Sequence, residues 1–90
     1  MVSRSRAPVL IDQEGGRVAR LGPPHWRAAP AAARFAEIAV ADPSQAAEAA
    51  RLNACLLAAE LADLGIDVDC APVLDIPQPG AHHEIGRAHV

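Results

Sequence analysis

The run Val9-Leu10-Ile11 stops abruptly at Asp12-Gln13-Glu14-Gly15-Gly16-Arg17-Val18-Ala19-Arg20, and this break limits the folds open to the chain more than any other feature. A short apolar run bounded by turn signals reads as a buried strand, with Pro8 at its edge, where a missing N–H is tolerated. The glycine pair permits backbone conformations, or a close approach, that side chains would resist. Two carboxylates and two arginines are thereby placed at a strand end. In open α/β sheets and β/α barrels, ligands are held beyond the C-terminal ends of strands, so Asp12 is the first candidate binding residue. The competing reading pairs Asp12 and Glu14 with Arg17 or Arg20 at the surface, and residue types alone leave both open.

Further along, Gly22-Pro23-Pro24-His25-Trp26 is a rigid loop, because two prolines fix φ. Trp26 is read as a cover for the core beneath that loop, and His25 as structural or solvent-exposed. Pro30 to Ala39 is expected to form a short alanine-rich helix, with Pro30 in its first turn and Phe35 and Ile38 on its packing face. A stronger helix start follows: Asp42 can cap, Pro43 suits the first helical position, and Gln45 stands three residues after the cap. This helix is predicted to run to Leu64 before the Gly65 cap. Ala50, Ala54, Leu57, Leu61 and Leu64 form its apolar stripe, and Glu48, Arg51, Glu60 and Asp63 its solvated side.

Ile66 to Ala71 reads as a second strand, with Ile66, Val68 and Cys70 on one side and acids between them. The apolar character continues to Asp75, which, like Asp12, sits where an apolar segment stops; Pro77, Pro79 and Gly80 then break any regular element. Helical segments between two short strands imply a right-handed parallel crossover. Two carboxylates at one sheet edge could bind a polyol, hold a cation, or perform paired acid/base work on a glycoside.

Composition narrows the classes. Lysine is absent and the formal charge is −3, so there is no broad basic surface of the kind nucleic acid requires. No apolar run approaches the ~20 residues of a membrane helix. The start Met1-Val2-Ser3-Arg4-Ser5-Arg6 lacks the apolar segment of a secretory signal, so no membrane association and a cytoplasmic location are expected. Cys55 and Cys70 form no C-x-x-C pair; they are read as small buried hydrophobes, with no metal and no other cofactor. P-loop and dinucleotide fingerprints are lacking. With one Trp, one Phe and no Tyr in 90 residues, the core is short of large side chains, and the few parallel strands such a length supplies have edges to protect. The chain therefore reads as a piece of a larger domain.

Three blocks in order, Ile11 to Arg20, Ala59-Glu60-Leu61 to Gly65-Ile66-Asp67, and Cys70 to Ile76, resemble the N-terminal part of glycoside hydrolase family 3 β-N-acetylhexosaminidases, bacterial enzymes of cell-wall recycling, over about residues 8–83. The resemblance implies an α/β fold consisting of the early β/α units of a (β/α)8 TIM barrel, with residues 1–7 as a lead or truncated end. It implies that Asp12 and Arg20 bind the N-acetylglucosamine unit, an Asp accepting from sugar hydroxyls and an Arg donating to oxygens. Glu14, Arg17 and Asp75 rank below them as pocket support. The implied reaction is metal-free, retaining hydrolysis of terminal β-linked N-acetylglucosamine from peptidoglycan fragments through a covalent glycosyl-enzyme. The implied partner is an N-acetylglucosamine-containing muropeptide or glycan, and the working expectation for the full-length parent is a monomer.

In the family, the nucleophilic aspartate lies in a serine-aspartate segment late in the barrel and the acid/base histidine follows a Lys-His-Phe-Pro-Gly-His-Gly segment. Neither segment occurs here, so the chain alone is expected to be inactive, and His25, His82, His83 and His89 inherit no catalytic role. Two alternatives stand beside this reading: a non-catalytic carbohydrate-binding or structural relative, and a β-glucosidase-type hydrolase of the same family. Ile85-Gly86-Arg87 lacks a residue that the family has before a sugar-contacting arginine, so Arg87 inherits no role either. Glu84-Ile85-Gly86-Arg87-Ala88-His89-Val90 is moreover what a common sequencing-adapter stretch encodes in frame, which sets residues 84–90 apart as a candidate non-native tail. On that reading the source contig departs from barrel-coding sequence after His83; continuous, well-supported barrel-coding reads through Val90 would overturn it.

Overall fold

The computed structural model describes residues 7–74 and 79–80. Strand β1 (Leu10–Ile11) is followed by helices α1 (Ala32–Ala41) and α2 (Pro43–Asp63) and by strand β2 (Val68–Asp69). The two strands pair in parallel, Leu10 opposite Val68 and Ile11 opposite Asp69, giving an open α/β unit in which both helices lie on the connection. The pairing is carried by Asp67 and Val68 N–H groups donating to the Val9 carbonyl (2.8 and 3.1 Å) and by Cys70 N–H donating to the Ile11 carbonyl (2.8 Å).

Helix α2 forms where the sequence predicts. Asp42, in extended backbone, accepts from the Gln45 N–H at 3.0 Å, and Pro43 opens the helix. At the other end Gly65 takes a φ of +79°; its N–H donates to Ala62 and that of Ile66 to Leu61, each at 3.0 Å. This doubly bonded glycine cap satisfies carbonyls that the last turn leaves without helical partners. Leu64 is the capping residue and is 48% exposed, so the predicted stripe loses its last member. Ala46, Leu57 and Leu61 are buried. Glu48 and Arg51 face solvent as expected, the guanidinium donating twice to the carboxylate (2.6 and 2.9 Å) and holding Glu48 below its ordinary carboxyl pKa.

Helix α1 begins two residues later than predicted and ends two later. The cause is the glycine turn. Gly16 N–H donates to the Ala29 carbonyl at 2.8 Å, and Gly15 packs against Pro30 so closely that a Cβ there would stand 2.3 Å from the Pro30 carbonyl oxygen. With Ala29 and Pro30 committed to that contact, the chain stays extended through Ala31 (φ −69°, ψ 155°) and the helix starts only at Ala32, without a side-chain cap. Phe35 and Ile38 are half-buried, and α1 packs on α2.

The buried apolar residues among those described are mostly small: Ala29, Ala31 and Ala46, with Leu57 and Leu61. Ala50 and Ala54 do face the same side of α2 as the leucines, but they are too short to fill the space. A cavity of about 490 Å³ remains there, lined among others by Phe35, Ala50, Ala54, Leu57 and Leu61.

Three further expectations are corrected. Cys55 and Cys70 are exposed rather than buried; Cys55 lies on the outer face of α2, its sulfur 4.0 Å from an Arg51 nitrogen. Val9 and Leu10, read as part of a buried strand, are 42% and 56% exposed, and around β2 Asp67 and Asp69 are half-buried together with Ile66, while Val68 and Cys70 are exposed. The carboxylates are drawn in because Asp67 accepts from the Val9 N–H (2.7 Å) and Asp69 from the Gln13 N–H (3.0 Å), and side chains alternate along a strand. Glu60 does not simply stand on a solvated helix face. It is half-buried and meets the Arg27 guanidinium at 3.4 Å, while Arg27 also donates to Asn53 at 3.0 Å; the loop after the glycine turn is thereby tied to α2.

The turn generates a sharp contrast. Gly15→Ala is expected to lose at least ~1–3 kcal/mol through its positive φ alone, with the clash against Pro30 adding to it. Gly22→Ala, which meets nothing within 4 Å, should be nearly neutral. Urea titration of both variants beside the parent chain measures the difference.

Candidate functional site

The site is built from the break that follows β1. Glu14 and Gly15 N–H groups donate to the Val18 carbonyl (2.9 and 3.1 Å), and Val18 N–H returns a bond to Gly15 at 3.2 Å. Gly16 and Arg17 are thus the two central residues of a tight hairpin turn, and Gly16 has a φ of +60°, as the first central position of a type II′ turn requires. The hairpin folds Val18-Ala19-Arg20 back along the strand end. Arg20 arrives beside Asp12, with Nη2 3.6 Å from Oδ2.

The residue that secures this return is Gln13. It is 1% exposed and is the only fully buried large side chain among the described residues. Its Oε1 accepts from the backbone N–H groups of Arg20 (2.8 Å) and Leu21 (3.1 Å), and its Nε2 donates to the Leu21 carbonyl (2.8 Å). The amide acts as a peptide group would in a strand ladder. Gln13 is held in turn by β2, through its own N–H on the Asp69 carboxylate.

Asp12 and Arg20 line a cleft of about 450 Å³ together with Leu10, Ile11 and Cys70. The lining sets one acceptor-only and one donor-only side chain beside the apolar Leu10 and Ile11. Arg20 is exposed and Asp12 half-buried. An ion pair this open contributes little to stability, so a ligand can displace it at small cost.

The other acids and bases are distributed differently. Glu14 lies in the larger cavity beneath the helices, whose lining also includes Asp69, not in the cleft with Asp12 and Arg20. Arg17 is exposed at the hairpin tip. Asp75 lies outside the described residues, as do His82, His83 and His89. Among the described residues no three His, Cys, Asp or Glu side chains converge as a metal site requires, and no helix is long and apolar enough to cross a membrane.

Gln13 and Asp69 are the residues that sequence reasoning passed over. A glutamine in a polar stretch has no periodic signature of burial. Asp69 did carry a signal: it stands two residues from Asp67, on the same face of a strand. Its carboxyl is pushed above the ordinary aspartate pKa, first by burial and also by the nearby Asp12 carboxylate, with the Gln13 N–H working against both.

The glycosyl hydrolase family 3 N terminal domain profile matches residues 2–88. The chain belongs to glycosyl hydrolase family 3. A protein named Beta-hexosaminidase from Thioalkalivibrio sulfidiphilus is 45% identical over 71 residues, covering 79% of this chain and 20% of the relative. Beta-hexosaminidases from Xanthomonas euvesicatoria (42% over 77 residues, 81% of this chain and 23% of the relative) and Bordetella avium (38% over 68 residues, 76% and 19%) are similar too. The chain therefore spans about a fifth of the length of these family 3 relatives. No solved structure matches it.

The raised Asp69 carboxyl sets a pH dependence. A carboxyl whose pKa is higher in the fold than in the unfolded chain contributes stability that is complete below the ordinary aspartate value and is lost as pH rises through the raised one. Asp69→Asn keeps an oxygen to accept from Gln13 N–H but carries no charge. In urea unfolding across that window the variant should show a flatter pH profile and be at least as stable as the parent at neutral pH; an unchanged profile would refute the assignment.

Proposed function

We propose that the chain is the early β/α portion of a retaining β-N-acetylhexosaminidase, in which Asp12 and Arg20 hold the terminal N-acetylglucosamine of a muropeptide or related glycan. The nucleophilic aspartate and the acid/base histidine come from segments outside these 90 residues, and the parallel β1–β2 pair with its helical connection is one unit of a (β/α)8 barrel. The peptidoglycan-recycling role and the cytoplasmic location belong to the same proposal and rest on the motif resemblance.

The observation that carries the reading is the Asp12–Arg20 pair, 3.6 Å apart just after β1 and lining the cleft. Neighbouring hydroxyls of a pyranose both donate and accept, so a carboxylate beside a guanidinium satisfies them together. The apolar wall of Leu10 and Ile11 suits the C–H face of a sugar ring, and the cleft volume falls in the range of small-molecule sites. The names of the similar proteins support the hexosaminide as substrate class over a β-glucoside.

The test has two arms. The 90-residue chain should leave a chromogenic N-acetylglucosaminide intact, whereas a version extended to the length of its relatives should hydrolyse it. In the extended version Asp12→Asn and Arg20→Ala should each lower kcat/KM by about ten- to a hundredfold, as expected for losing a hydrogen bond to a charged group of ~1.5–3 kcal/mol. Faster hydrolysis of the corresponding β-glucoside would favour the glucosidase alternative, and sugar binding without any hydrolysis the non-catalytic one.

A further inference from the structure

We infer that Gln13 is the positioning residue of the sugar-binding pair: its buried amide acts as a surrogate strand that fixes where Arg20 leaves the backbone, and so sets the Asp12–Arg20 geometry. The sugar-binding half of this inference rests on the function proposed above; the positioning half stands on the hydrogen bonds alone.

Among the described residues, the return of Arg20 to β1 is held at the Gln13 amide. The hairpin's own bonds end at Val18, and the next fixed points are the Arg20 and Leu21 peptide groups on the Gln13 amide. The ion pair cannot do this work, because Arg20 and Asp12 side chains are 61% and 47% exposed and their nitrogen–oxygen separation is 3.6 Å, longer than a good hydrogen bond. Order therefore runs from the backbone outward to the charges.

The chemistry of the side chain suits this role. A primary amide offers an acceptor with two lone pairs and a donor on the other side, which matches two N–H groups and one carbonyl of the returning segment. A glutamate would lack the donor for Leu21, and a leucine would leave all three peptide groups unsatisfied in a buried place. Gln13 also connects the cleft to the sheet. Asp69 of β2 accepts from the Gln13 N–H, so the position of Arg20 is referred back to the paired strand through two successive contacts. A misplacement of about an ångström at a positioned binding group can cost about a hundredfold in turnover, so a side chain that touches no ligand can still control the site.

The experiment uses the version extended to the length of its relatives, with N-acetylglucosamine as the probe, and two readouts. Amide hydrogen exchange is followed by NMR, and sugar affinity by chemical-shift titration. Gln13→Ala should speed exchange at Arg20 and Leu21 by about tenfold or more, while amides in the middle of α2 keep their protection. It should weaken sugar binding by about tenfold, and by nothing further when Arg20→Ala is already present, because a residue acting through Arg20 has no effect once Arg20 is gone. Should Gln13→Ala not fold, Gln13→Met carries the same test, since it keeps the length and bulk of the side chain and removes both the acceptor for Arg20 and Leu21 and the donor to the Leu21 carbonyl.

Unchanged exchange at Arg20 and Leu21 would overturn the inference. So would equal loosening throughout α2, or an additive loss of affinity in the double variant, since either makes Gln13 a general support of the fold. Wild-type sugar affinity in both Asp12→Asn and Arg20→Ala would instead remove the sugar-binding reading, leaving the exchange data to decide the positioning half.

Discussion

A buried primary amide is the constraint on which the rest of this unit depends. Gln13 is enclosed, and an enclosed amide must find partners for both its oxygen and its nitrogen or cost the fold the desolvation of those groups. It finds them in the peptide groups of Arg20 and Leu21. That choice sets the length of the excursion between them, and a tight hairpin with Gly16 at positive φ is what fits. The hairpin in turn presses Gly15 against Pro30, which delays the start of α1. One satisfied side chain thus reaches from the strand end to the first helix.

The helices hold this arrangement with small side chains. Ala29, Ala31 and Ala46 are buried along with Leu57 and Leu61, yet the alanines on α2 leave the large cavity beneath the helices unfilled. Polar ties compensate where apolar volume is short. Arg27 joins the proline-rich loop to Glu60 and Asn53 on α2, and Asp67 and Asp69 bind backbone N–H groups flanking β1. The last of these is costly for the carboxylate, since burial and the Asp12 charge both favour protonation of Asp69. The cost is accepted at the point where β2 supports Gln13.

Local signals in the chain were legible where the physics is local. Asp42-Pro43-Ser44-Gln45 specifies a helix start within a single turn, and Gly65 a helix end, and both stand as read. The strand ends were legible because apolar runs stop sharply, and the family followed from three ordered blocks that the profile match supports. Readings that depended on neighbours failed. The helical propensity of Pro30 and Ala31 lost to a carbonyl shared with Gly16. The apolar run at Val9-Leu10 suggested a buried strand, but the two residues are 42% and 56% exposed. Cys55, Cys70 and Glu60 were assigned by residue type, and residue type does not say which neighbour is present.

By itself, then, the sequence determined the order of elements, the caps, the glycine turn and the family, because each is encoded in a few adjacent residues or in their spacing. Only the tertiary structure decided that Glu14 lines a different cavity from Asp12 and Arg20, and that Gln13 and Asp69 govern the opening break from within. Those outcomes rest on contacts between residues far apart in the chain, made when a buried amide and a half-buried carboxylate must each find a partner. The stretch from Val9 to Arg20 announces charges at a strand end; it is the hydrogen-bonding demand of its one buried side chain that turns them into a site.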